Sequence, residues 1–253
     1  GGSCRRRSPR LGDLMSRPGG AALVIALHGS AHPGASVFAR QLVRAVEERL
    51  GVSGGSVATA WVDARRRTLD AELARGASVV VPGFLTDGYH VSVDIADAVA
   101  SGGRRAVVTG HVGPYLDEAL VDRLRQAGGS GDGVLLAAGG SRREASNNEV
   151  RRAAHRLGRR LGVPVEVGFL YFSADASPAD ALVRLAARGC TDVTAAAYFL
   201  APGQWTDRLA SVPDPGGIVR RTTEPIGVHP ALVDAIVSLY LDAVGHVRLR
   251  RAS

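Results

Sequence analysis

The chain has 253 residues, room for one large α/β domain or two small ones that share packing. Apolar residues make up 45% and charged residues 22%, and no apolar run approaches the roughly 20 residues a membrane-spanning helix needs. Net charge is +7 with arginine as the only basic side chain besides histidine, but the arginines are scattered and aromatics reach only 5%. That pattern leaves few stacking platforms for nucleic acid, which is not expected as a partner, and suits a small polyanion at least as well.

Residues 1–20 are basic and rich in Gly, Ser and Pro, with no apolar core of a signal peptide. They read as a disordered leader, which makes the cytoplasm the default location. Cys4 falls in this leader, so neither a disulfide with Cys190 nor a cysteine metal motif is expected. From residue 21 onward apolar runs alternate with amphipathic segments. Strands are expected at 21–29, 56–64, 78–85 and 105–112, and helices at 36–50, 69–76, 93–100 and 116–128. Continuous β-branched runs bounded by glycine indicate parallel strands buried on both faces, and strand alternating with helix implies right-handed crossovers.

The same order then begins again. GVLLAAGGS at 133–141 mirrors VIALHGS at 24–30 and opens four strand–helix pairs that run to residue 244. His28 lies 111 positions before Gly139, His90 lies 115 before Trp205, and Gly113 lies 114 before Gly227. A period this long is a duplicated domain, not a solenoid. The expected fold class is α/β: two similar flavodoxin-like parallel-sheet halves facing across a cleft. Their bounds are 21–130 and 131–246, joined through GGSGDG at 128–133.

Open parallel sheets bind ligands beyond the carboxyl ends of their strands. His28 ends the first strand, Asp63 the second, and His90 follows the third. The second half offers Gly139, Tyr171 (with a one-residue gap) and Trp205 at the matching places. Groups that merely supported the fold would have equal reason to persist in both halves, so one centre per chain is expected, with a degenerate second half. Blander roles exist for each residue. A lone strand-end His is ordinarily a turn or cap, and Asp63 suits an N-cap or a partner for the arginines at 65–67. His32 reads as a loop residue before Pro33, His111 and His229 as neighbours of the cleft, and His155 and His246 as surface groups. The glycine turns match neither GxGxxG nor GxxxxGK[ST], and Ser30 lacks the GxSxG context of a nucleophile.

HGSAHPGAS, VVVPGFLTDGYHVSVDI and HVGPYLDEAL together resemble the sirohydrochlorin chelatases, tetrapyrrole metal chelatases that work without ATP, in their double-length form. The resemblance covers residues 21 to about 244. It implies a metal pair at His28 and His90 with Asp63 as the assisting acid, although the family commonly carries Glu there. It also implies Fe2+ or Co2+ as substrate metal with no permanently bound cofactor, and sirohydrochlorin as partner. Backbone amides around Ser30, Ala31, Gly88 and Tyr89 are then expected to hold the substrate's carboxylates, and Trp205 to pack against the macrocycle. The absence of a His-rich tract favours iron over cobalt. A tetrapyrrole or metal carrier and a plain anion-binding protein are the rivals of another class. A double-length chain is able to work as a monomer, because its second half supplies the wall a shorter relative takes from a partner.

Overall fold

The computed structural model describes residues 22–52, 54–62, 68–76, 79–88, 94–101, 106–172 and 176–252. One sheet has the order β2-β1-β3-β4, built from β1 (Leu23–Leu27), β2 (Val57–Trp61), β3 (Val79–Pro82) and β4 (Val107–Val108). The other has the order β6-β5-β7-β8, from β5 (Gly133–Gly140), β6 (Val165–Phe172), β7 (Val193–Ala197) and β8 (Val219–Thr222). Neighbouring strands in both sheets are parallel. Every residue of β1 and of β7 is buried, which is why these strands read as unbroken apolar runs.

Register reproduces the internal repeat. Leu23 pairs with Val57 and Val79 in the first sheet, as Val134 pairs with Val165 and Thr194 in the second. The bonds that extend the sheets repeat too: Gly83 N–H donates to Ala26 O, as Tyr198 N–H does to Ala137 O. Between Ala138 and Gly140 the pairing slips by one and sets Gly140 opposite Phe172.

Helices α1 (Pro33–Leu50) and α5 (Glu144–Leu161) are equivalent, each 18 residues long and closed by a left-handed glycine, Gly51 and Gly162. α1 starts three residues earlier than its apolar period suggests. His32 is its N-cap and not a free loop residue: the ring accepts the Gly34 N–H at 3.1 Å, and Pro33 opens the helix. The remaining helices are α2 (Leu69–Arg75), α3 (Ala96–Ser101), α4 (Asp117–Gln126), α6 (Pro178–Ala187), α7 (Gln204–Leu209) and α8 (Pro230–Ala252). α6 carries a reciprocal capping box between Ser177 and Asp180.

The last helix of each repeat packs on the other repeat. α8 lies against α1 and β3, and α4 lies against α5 and β7. One apolar core therefore runs from Leu23, Ile25 and Leu42 of the first half to Leu136, Leu157, Leu232 and Ile236 of the second. Smaller clusters cover the outer faces, around Val24, Leu69 and Ile95 on one sheet and Leu135, Leu182 and Leu185 on the other. Polar ties reinforce the exchange: Arg156 grips Asp117 with two bonds of 2.6 and 2.9 Å, and Arg49 meets Asp234 at 2.7 Å. His229 Nε2 stands 3.2 Å from Asp122, while Arg123 donates to Ile226 O. The halves thus share an interior.

The GGSGDG segment is equally anchored. Asp132 N–H donates to Asp192 O, and its carboxylate accepts the Thr191 and Asp192 N–H groups, which hold this acid below the usual carboxylate range. Gly131, at φ 64, sits so close to Asp192 that a Cβ would overlap its carbonyl. No helix among the described residues is long and apolar enough to cross a membrane.

Candidate functional site

β1 is the inner strand between β2 and β3, so the chain leaves all three toward one edge with His28 in the middle. His28 is exposed at that edge, directly after buried Leu27. Its ring meets Phe84 edge-on with centroids 6.4 Å apart. Phe84 belongs to the segment after β3, so the first and third strand ends are in contact. Val62, the last described residue before Asp63, donates its N–H to Leu27 O at 2.9 Å. Asp63, Tyr89 and His90 themselves lie outside the described residues.

Gly29 follows His28 at φ 100, a left-handed conformation that favours glycine and turns the chain toward α1. Ser30 Oγ then accepts the His32 N–H at 3.1 Å, and Ala31 is exposed at the tip. Gly88 closes a tight turn on Thr86 O. The second half approaches this loop through the segment between β7 and α7: a Cβ on Gly203 would stand 3.9 Å from Ser30 Oγ, and one on Gly34 would stand 3.4 Å from Pro202. Beside that contact opens a groove of about 430 Å3, lined mainly by apolar groups that include Val37, Phe38, Pro202, Pro225 and Val228.

In the second half the positions matched to Asp63 and His90 come together. Tyr171 and Trp205 meet in a tilted contact with centroids 5.1 Å apart, Tyr171 is 57% exposed, and the Arg208 guanidinium lies 5.5 Å from the Trp205 ring centre. Where the first half keeps imidazole, this edge carries an aromatic and cationic surface. Arg142 and Arg143, exposed just after β5, add positive charge to it. No three potential metal-binding side chains converge among the described residues.

A polar cluster that strand-end reasoning overlooked lies on the other side of the interface. Glu149, on α5, accepts the Asp87 N–H at 3.0 Å and stands 3.1 Å from His111 Nε2. His111 Nδ1 accepts the Gly113 N–H at 3.2 Å. That arrangement makes Nε2 the protonated nitrogen, donating to the carboxylate. Ser146, 1% exposed, donates to Asp87 O at 3.0 Å. A lone acid in the basic stretch NNEVRRAAHRLGRR was the available signal.

Two parallel sheets related by an internal repeat, one edge keeping an imidazole and the other an aromatic pair, define a double-repeat α/β protein with unlike strand-end sites. The CbiX family model matches residues 22–127 and 133–243, one copy for each sheet. The chain belongs to this family, the sirohydrochlorin chelatases. Among solved structures it is similar to SirB from Bacillus subtilis with Fe3+, at 18% identity and TM-score 0.71, covering 88% of this chain and 95% of that one. A sirohydrochlorin chelatase SirB from Bacillus subtilis subspecies spizizenii, in complex with cobalt, gives 18% identity, TM-score 0.65 and the same coverages. CbiX, described as the terminal enzyme for biosynthesis of siroheme in denitrifying bacteria, gives 20% identity and TM-score 0.59, covering 88% of this chain and 98% of its own. No protein of curated function matches.

Proposed function

We propose that this protein inserts Fe2+ into sirohydrochlorin, with the centre at His28 and His90 and with Asp63 assisting. The observation that carries the reading is His28 itself: an exposed imidazole at the middle of the sheet's carboxyl edge, in a chain whose second repeat has Gly139 at that place. Neutral imidazoles bind borderline divalent ions while leaving coordination positions open for the incoming macrocycle. Metallation also removes two pyrrole protons, and an imidazole or carboxylate beside the ring is a suitable acceptor. The contact of Tyr171 with Trp205 supports the pairing, because those two residues occupy the places that the repeat matches to Asp63 and His90.

The two halves divide the work. The first is assigned the metal ligands, and the amides around Ser30, Ala31, Gly88 and Tyr89 are assigned to the substrate's carboxylates. The second supplies Trp205 as a surface for the macrocycle, with Arg208 beside it to pair with carboxylate. The enzyme works in the cytoplasm as a monomer, with no resident cofactor. Cobalt is the second reading for the metal: one solved relative is described with Fe3+ and another with cobalt.

Anaerobic absorbance of sirohydrochlorin with Fe2+ or Co2+ tests the assignment, using the unsubstituted chain, His28→Ala and His90→Ala. A catalysed spectral shift lost in both variants is expected, faster with Fe2+. Full rates in both variants would remove the proposed centre. A stoichiometric bound spectrum without turnover would make the protein a carrier.

A further inference from the structure

The cluster around Glu149 has a counterpart in the opposite repeat, and the two differ in chemistry. By the repeat, Ser146 corresponds to Ala35, Glu149 to Phe38, Asp87 to Pro202 and His111 to Pro225. Phe38, Pro202 and Pro225 line the apolar groove. The same contact between a strand-end loop and the opposite long helix is therefore made twice, once with apolar groups and once with an acid, a histidine and a hydroxyl. The apolar version shows that the interface does not need polarity to form. Pro202 also has no N–H to offer, whereas Asp87 gives both of its peptide groups to the second half, N–H to Glu149 and C=O to Ser146. His111 in turn holds the Glu149 carboxylate in place.

The polar version occurs on the loop that matters for the chemistry. Asp87 precedes His90 by three positions, whereas the matched loop, with Pro202 in place of Asp87, leads to Trp205. We infer that Glu149, supported by His111 and Ser146, is a positioning residue: it fastens the loop that carries His90 from the degenerate half, and so sets where that imidazole stands relative to His28. This rests on the reading of His28 and His90 as the metal pair. It also gives the second repeat a share in the metal centre without supplying a ligand.

Glu149→Ala removes both acceptor oxygens, Glu149→Gln keeps one, and Ser146→Ala removes only the hydroxyl. Hydrogen exchange of the intact chain reads the latch without reference to turnover. Exchange at Asp87 and Gly88 is expected to rise in Glu149→Ala, with β1 and β5 unchanged. Metallation is expected to lose about ten- to hundredfold in kcat, as misplacement near 1 Å does. KM for sirohydrochlorin should stay within about threefold, and Glu149→Gln should recover most of the rate. Unchanged exchange at Asp87 overturns the latch whatever the chain catalyses. Raised exchange with wild-type kcat overturns the positioning role. Failure of the chelatase reading is a separate result, no catalysed insertion by the unsubstituted chain. If Glu149→Ala does not fold, Ser146→Ala carries the same test, with a smaller rise in exchange at Asp87 expected and no rise overturning it.

Discussion

Ile236 tests whether the exchanged helices make the two repeats one cooperative body. It is fully buried on α8, in the core that also holds Leu23 and Ile25 of the first sheet. Ile236→Ala removes three carbons, worth about 2.4 kcal/mol at ~0.8 kcal/mol each. The remaining cavity raises the total to roughly 3–4 kcal/mol, inside the usual range for such a truncation. In a body of this size each kcal/mol moves Tm by roughly 2–4 °C, so a fall of roughly 10 °C is expected. Urea unfolding followed by circular dichroism, with hydrogen exchange read at β1 and β3, is the assay. The transition should remain single, and protection should fall in the first sheet as much as in the second, although the substitution lies in the second repeat. Two separated transitions, with β1 and β3 still protected after the second sheet has opened, would refute the shared core as the source of stability.

Two further outcomes follow from the site and the junction. Trp205→Ala removes the surface proposed for the macrocycle and one ring of the tilted pair with Tyr171. KM for sirohydrochlorin should rise about three- to tenfold, the scale of an aromatic contact, with kcat nearly unchanged; a fall in kcat at constant KM would place Trp205 elsewhere. Asp132 is held below its ordinary value by the Thr191 and Asp192 N–H groups. Its contribution to stability is therefore present above the unfolded value, about 3.9, and is lost as pH falls through the lower folded value. Asp132→Asn should lower the urea midpoint at pH 7 and differ less from the parent near pH 3. An equal deficit at both pH values would show that the carboxylate's charge is not what the junction uses.

Much of the fold is legible in the sequence because both its signals are local. Strands buried on two faces are unbroken apolar runs, as LVIAL in β1 shows, and the helices between them keep an amphipathic period. The duplication is legible because glycines at matched turns, Gly51 with Gly162 and Gly113 with Gly227, survive where side chains have diverged. His28 stands out for the same reason, a polar group at a strand end where the repeat keeps only glycine.

What tertiary structure alone decided is which surfaces those elements bury. Nothing in the sequence of α8 or α4 names the sheet it packs on; α8 lies on β3 of the first half, while α4 goes to β7 of the second. The bonds from Glu149 and Ser146 to Asp87 span 62 and 59 positions and join groups that no local pattern links. His32 looked like a loop residue because a cap is defined by where its ring nitrogen points, and the Gly34 N–H it accepts is visible only in three dimensions. Period and composition set what each segment must hide from water. The partner that hides it is chosen by the whole chain, through shape and the pairing of buried polar groups.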